Sequence, residues 1–256
     1  MWNRDLTPAA YRKSLAALAE LELWFAAEKN KARNDEFNTA VNTWTDLYSF
    51  SIFHDKKIPA AENRGWNAFL EKLPSADMES CVNALIENFA PRIGQDLEKA
   101  KRDISESFAG FMCEYHHDYF KPPESGDMLT LHFRNYFAPD SPSDHGSELM
   151  AGLLALVNKA ESERPAVKMA QCASWLNNIP FFLELFPEEW RKNSRICPYK
   201  PSTGWWGQFI DRRGGINRRN VEYLKEKRDF KYANVHCICG IGSLKRHLEE
   251  FLPGAD

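Results

Sequence analysis

The apolar residues change their period near residue 121, and that change bounds the fold more tightly than any other feature of the chain. Up to that point they recur at helical spacing. Tyr11, Leu15, Leu18, Leu21 and Phe25 form one stripe; Phe37, Val41, Trp44, Leu47 and Tyr48 form a second. Trp66, Phe69, Leu70 and Leu73 make a shorter third. Met78, Val82, Leu85 and Phe89 make a fourth, which Pro91 is expected to end or kink because proline lacks the N–H of the helical ladder. Ile93, Leu97, Ala100, Ile104, Phe108, Phe111 and Tyr115 trace a long fifth. Thr7 and Pro8 supply a helix start, a capping hydroxyl followed by a proline whose missing N–H costs nothing there. Helices with one apolar side must bury it, so residues 1–122 are expected to form a helical bundle domain.

"KPPESGD", residues 121–127, combines two prolines, a glycine and charges, and reads as the domain boundary. Beyond it "MLTLHFRNYF" alternates Leu129, Leu131 and Phe133 with Thr130, His132 and Arg134, which is the period of a strand. A helix is expected over 146–161, a second strand in "AVKMAQCASWL", a short apolar helix in "IPFFLELF" and a third strand in "GWWGQFI". Helices over 217–228 and 241–252 complete the pattern. Strands alternating with helices imply a smaller α/β domain over 123–256, a short sheet covered by helices, so the whole chain is α+β.

No apolar run in the 256 residues approaches the length of a membrane span, and the start lacks a secretory pattern, so a cytoplasmic protein without membrane attachment is expected. The six cysteines are scattered and read as reduced thiols. The net charge of −3 conceals an asymmetry: residues 191–256 hold 14 Lys and Arg against 7 Asp and Glu. A basic C-terminal quarter favours a small anionic ligand or nucleic acid, unless it only faces the acidic remainder.

Ligands in α/β layers gather at strand ends, which points to His132 and Arg134, to Cys172, Ser174 and Asn177, and to Gln208 and Asp211. The stretch "QFIDRRGGINRRNVEYL" then places Arg212, Arg213, Gly214, Gly215, Arg218 and Arg219 before a helix. Glycines let a backbone approach phosphate, a helix start offers N–H groups, and arginines add charge-assisted contacts. The stretch lacks the spacing of a Walker loop or of a dinucleotide fingerprint. The other reading of it is a tight turn from Asp211 to Gly215 with solvated arginines. Cys172 and His132 can be read as a nucleophile and its base, or Cys172 as a small apolar filler. His236, Cys237, Cys239 and His247 lack the clustered spacing of a zinc site, so buried thiols and no metal are expected. Glu114 and His117 form an E-x-x-H without the second copy that a di-iron bundle needs. Trp205 and Trp206 beside the arginines could stack bases, or one of them could be core.

"LTLHFRNYFAPDSPSDHGSELMAGLLALV" and "VKMAQCASWLNNIPFFLELFPEEWRKNSRICPY" resemble the C-terminal domain of a group of GNAT-like acyltransferases. The matching residues are His132, Cys172, Ser174, Trp175, Leu176, Ser194 and Ile196, and "RRGGINRR" resembles an acetyltransferase pyrophosphate loop with altered glycine spacing. The resemblance implies CoA or acyl-CoA as cofactor, held by backbone N–H groups with Gln208, Arg212, Arg213, Gly214, Gly215 and Arg218 around it. It implies direct acyl transfer, with His132 as base and Ser174 as proton donor to the leaving thiolate. The alternative is a non-enzymatic binding or scaffold protein that uses its basic quarter to hold a protein partner or nucleic acid.

Overall fold

The computed structural model describes residues 6–31, 33, 36–74, 77–116 and 128–252. In chain order come helices α1 (Pro8–Asn30), α2 (Phe37–Trp44), α3 (Arg64–Leu70) and α4 (Met78–Ser105), then strands β1 (Phe111–His116) and β2 (Met128–Phe133). Helix α5 (Gly146–Glu163), strand β3 (Met169–Ser174), helices α6 (Pro180–Leu183) and α7 (Glu188–Lys192) and strand β4 (Arg195–Ile196) follow. The one-turn α8 (Thr203–Trp206), then α9 (Arg218–Lys227), β5 (Val235–Gly240) and α10 (Ile241–Phe251) complete the order. The fold is mixed α+β, with a helical region first and a small helix-covered sheet after it.

Two compact units emerge. One takes the chain up to Ala100 together with Lys200–Lys231; the other takes Lys101–Tyr199 and the chain from Tyr232 onward. This division differs from a single cut between residues 122 and 123, because the arginine-rich stretch groups with the helices rather than with the sheet. The expected boundary at 121–127 lies outside the described residues.

In the helical unit, the Thr7 hydroxyl accepts the Ala10 N–H at 3.2 Å and so caps α1 as expected. Pro91 does not end a helix: α4 runs through it. Buried Val82, Leu85, Ile86, Phe89, Ile93 and Leu97 keep helical spacing across the proline, and that continuous apolar face outweighs one lost backbone bond. "GWWGQFI" is no strand. The Ser202 side chain caps Trp205 N, which starts α8, and the consecutive Trp205 and Trp206 are both buried on that helical turn. Their rings join Phe25, Phe209 and Phe230 in one cluster of edge-to-face and tilted contacts, with Phe25 to Trp206 centroids 5.6 Å apart.

In the α/β unit the described strands form one sheet of order β1-β2-β3-β5-β4, parallel between β2 and β3 and antiparallel elsewhere. Helix α5 makes the β2-to-β3 crossover, and α5 and α10 bury Leu149, Leu153, Val157, Leu244 and Leu248 against Leu129, Leu131, Ala170, Cys172, Cys237 and Cys239. Phe111 and Tyr115 were expected on the fifth helix but lie on β1. Ala109 and Gly110 take left-handed φ of 50° and 95°, which ends the helical run and turns Phe111 back to bridge Phe108.

Candidate functional site

The arginine-rich stretch folds as a closed turn within the helical unit. Ile210 and Ile216 bridge as a short antiparallel pair. Asp211 Oδ1 accepts the N–H groups of Arg213 at 2.8 Å and Gly215 at 2.9 Å, and the Asp211 carbonyl accepts Gly214 N–H at 3.1 Å. Three successive backbone donors are thereby consumed by one aspartate, which is the use Asp makes of turns. Gly214 has φ +82°, and a Cβ there would stand 3.1 Å from Leu6; its carbonyl accepts the Ser14 hydroxyl of α1. Asn217 caps α9 through Asn220 N at 3.3 Å. Gln208 is buried, donates to Trp205 O at 3.2 Å, and its own carbonyl accepts the Asn220 amide at 2.7 Å.

The turn's backbone therefore does not fit a CoA pyrophosphate, because the N–H groups of 213–215 already face the Asp211 carboxylate and carbonyl. Gln208, Gly214 and Gly215 build the turn instead. Arg212, Arg213, Arg218 and Arg219 are exposed, and none of the four side chains forms an ion pair or hydrogen bond among the described residues. By contrast Arg228, at the left-handed end of α9, is held by Glu28 at 2.9 Å.

The other candidates lie in the α/β unit and do not converge there. His132 on β2 is exposed, with Nε2 3.6 Å from Glu114 Oε2 on β1. Its register and that of Thr130 with Gln171 put His132, Thr130 and Gln171 on one face of the sheet, and Cys172 on the other. A Cys172–His132 dyad is therefore excluded by the pleat. Cys172 is also buried in the core, and that burial pushes its thiol up to about 12, against thiolate formation. Ser174 Oγ accepts Leu176 N–H at 3.1 Å and caps the turn Trp175–Asn178. Asn177 is buried and pinned: it donates to Cys172 O at 3.1 Å and Val235 O at 2.8 Å and accepts Trp190 Nε1–H at 3.0 Å. Arg134 pairs with Asp103 at 3.4 Å.

Cys237 and Cys239 are buried thiols on one face of β5; burial raises both, Cys237 to about 12. His236 lies on the opposite face, where its Nε2 donates to Gln171 Oε1 at 3.0 Å and Gln171 donates to Thr130 Oγ1 at 2.9 Å. His247 donates to the Glu184 carbonyl at 3.0 Å. Glu114 of the E-x-x-H lies on a strand, and His117 lies outside the described residues. Among the described residues no three His, Cys, Asp or Glu side chains gather as a metal-holding group, and no helix is long and apolar enough to cross a membrane. Trp205 and Trp206 are both buried, so neither offers a ring to a base.

One further pair of carboxyls lies within the helical unit. Glu22 of α1 is fully buried on the face that carries Leu15, Leu18 and Phe25, and its Oε2 accepts the Asp46 N–H at 2.5 Å. Burial first, and Asp46 second, hold the Glu22 carboxyl well above the usual glutamate value. The Asp46 carboxyl is itself raised by burial, against hydrogen bonds from Thr203 and Ser49. The available signal was a charged residue four positions after Leu18 and three before Phe25, a core position of that stripe.

No protein-family model, curated protein or solved structure matches this chain.

Proposed function

We propose that this chain is a non-enzymatic binding protein whose arginine-rich turn holds a phosphate-bearing polyanion, duplex nucleic acid, through side chains alone. The observation that carries this reading is the set of four exposed guanidiniums, Arg212, Arg213, Arg218 and Arg219, without a carboxylate partner among the described residues. Each keeps a planar fork of donors matched to phosphate oxygens. The turn beneath them is stiffened by Asp211, and the start of α9 by Asn217, so little backbone freedom is lost when the arginines engage. A ligand with repeated phosphates suits four such forks within one short stretch. With both neighbouring tryptophans buried, contact falls on the phosphate backbone and carries no sequence preference. Attraction between exposed arginines and phosphates is sensitive to salt.

Fluorescence anisotropy with labelled duplex DNA and duplex RNA, competed with CoA, acetyl-CoA and ATP, tests the reading. Saturable duplex binding is expected, weakened about tenfold or more in Arg212→Ala/Arg213→Ala, with no effect of sequence. Competition by CoA at concentrations where ATP is inert would replace it with the acyl-CoA reading. Absence of duplex binding at low salt would remove it.

A further inference from the structure

Helices α1 and α9 run side by side in the same direction. The Ser14 hydroxyl near the start of α1 donates to Gly214 O just before α9, and Glu28 near the end of α1 takes Arg228 at the end of α9. Leu15, Leu18, Glu22 and Phe25 turn the buried stripe of α1 into the core. Trp24 stands off that stripe, half-exposed, on the flank it shares with Ala17 and Glu28. Across the seam Lys225 of α9 lies over its ring, with Nζ 5.9 Å from the centroid. Arg218 precedes Lys225 by two helical turns, so it lies on the same flank of α9, about 10 Å back toward the arginine turn.

Among the described residues Lys225 forms no ion pair or hydrogen bond, so the Trp24 ring is what holds its ammonium. A solvent-facing cation–π contact at the outer limit of its range is weak. A nucleobase stacked on the same ring is held more strongly, and stacking accepts any base because each has a π-face. The displaced ammonium stays beside the ring, where it meets the phosphate that accompanies the base. Carboxylates border this strip: Glu20 lies one turn before Trp24 on α1, and Glu222 and Glu226 occupy the outer face of α9. They confine a phosphate chain to the line from Arg218 to Lys225.

Bases inside a duplex are stacked on one another and cannot reach a ring on the protein surface. An unpaired nucleotide can. We infer that Trp24 is the stacking platform for an unpaired base beyond a duplex held by the arginine turn, with Arg218 and Lys225 on the phosphates that lead to it. Trp205 and Trp206 are buried, and Trp24 takes the part that they cannot. This role rests on duplex binding at the arginine turn, and it narrows the preferred ligand to a duplex with a single-stranded extension.

Fluorescence anisotropy with the intact chain tests this on a blunt DNA duplex, the same duplex with a short oligothymidine extension at its 5′ or 3′ end, and the same extension made abasic. An extension at one of the ends is expected to tighten binding about tenfold over the blunt duplex, and the abasic extension, which adds the same phosphates, to gain little. Trp24→Ala should abolish the gain and leave blunt-duplex affinity within about twofold of wild type, and Trp24→Phe should keep most of the gain. The abasic comparison needs no variant, so it decides the matter even where Trp24→Ala fails to fold. Equal affinity for blunt and extended duplexes overturns the proposal, as does a gain that survives in Trp24→Ala or with the abasic extension. The blunt duplex reports on the arginine turn alone. If it fails to bind while the extended duplex binds through Trp24, duplex binding by the turn falls and the stacking role stands; binding of neither removes both.

Discussion

Gly110→Ala is expected to destabilise the α/β unit by about 3 kcal/mol or more, among the larger losses a single substitution causes. Gly110 adopts φ +95°, where a side chain is strained before any contact is counted. A Cβ at this position would stand 2.1 Å from the Arg134 carbonyl oxygen and 3.2 Å from the Phe133 ring. Neither neighbour can yield. Arg134 N donates to Gly110 O at 2.9 Å, so the exit of β2 is stitched to this turn, and Phe133 is wedged between Phe111 and Phe182. The substitution must separate β1 from β2 at their first pair, Phe111 with Phe133, and with it the edge of the core. Urea unfolding followed by circular dichroism measures the loss. A change below about 1 kcal/mol would mean that the turn relaxes freely, contrary to this packing.

Asn177→Ala is expected to cost about 3–5 kcal/mol. Its amide joins two strands, taking Cys172 O from β3 and Val235 O from β5, and its carbonyl oxygen holds the Trp190 indole N–H. Trp190 is fully buried and stacked on Phe186 at 4.1 Å. Alanine leaves the buried Trp190 N–H unpaired, at about 1–3 kcal/mol, and strips two sheet carbonyls of a second hydrogen bond, at about 1 kcal/mol each. Asn177→Asp is the sharper comparison, because it retains an acceptor for Trp190 but loses both donors. It should recover about a third of the loss at most, since one of three bonds survives and a charge is buried. Equal stability of wild type and Asn177→Ala would show that water replaces the amide and that the pin is dispensable.

The parts of the fold that were legible in the sequence are those set by local periodicity. Thr7-Pro8 and the 11–25 stripe mark α1, and Leu129, Leu131 and Phe133 mark β2. The buried thiols Cys237 and Cys239 mark one face of β5. Where two periods fit, the reading failed. Phe108, Phe111 and Tyr115 satisfy helical spacing, but Phe111, Cys113 and Tyr115 satisfy the strand just as well, and the glycine at 110 decides between them. "GWWGQFI" is apolar enough for a strand, but its two tryptophans both turn inward around a Ser202 cap. Long-range grouping was not legible at all. The return of 200–231 to the helical unit rests on contacts such as Ser14 with Gly214, 200 residues apart, which no local pattern encodes.

The site divides in the same way. The arginines and glycines of "DRRGGINRR" have the chemistry of an anion site, but the aspartate that opens the stretch decides what the turn can do. An Asp followed by two glycines within a few residues satisfies its own turn, and the N–H groups of 213–215 are spent on it. His132, Cys172 and Ser174 all lie toward strand ends, yet the pleat turns His132 away from Cys172, and Ser174 is engaged as a cap. Glu22 is not legible in the sequence because a single polar residue does not break a stripe of leucines, and only burial shows that it lies inside.

The salt dependence of duplex binding tests the account's central claim most directly. Phosphate contacts release counterions, so four engaged arginines require a slope of about −4 in the logarithm of the binding constant against the logarithm of salt concentration. Replacing Arg212, Arg213, Arg218 and Arg219 by alanine should bring that slope close to zero, and replacing two should bring it to about −2. A slope that is unchanged in the fourfold variant would place the contacts elsewhere and contradict the proposal.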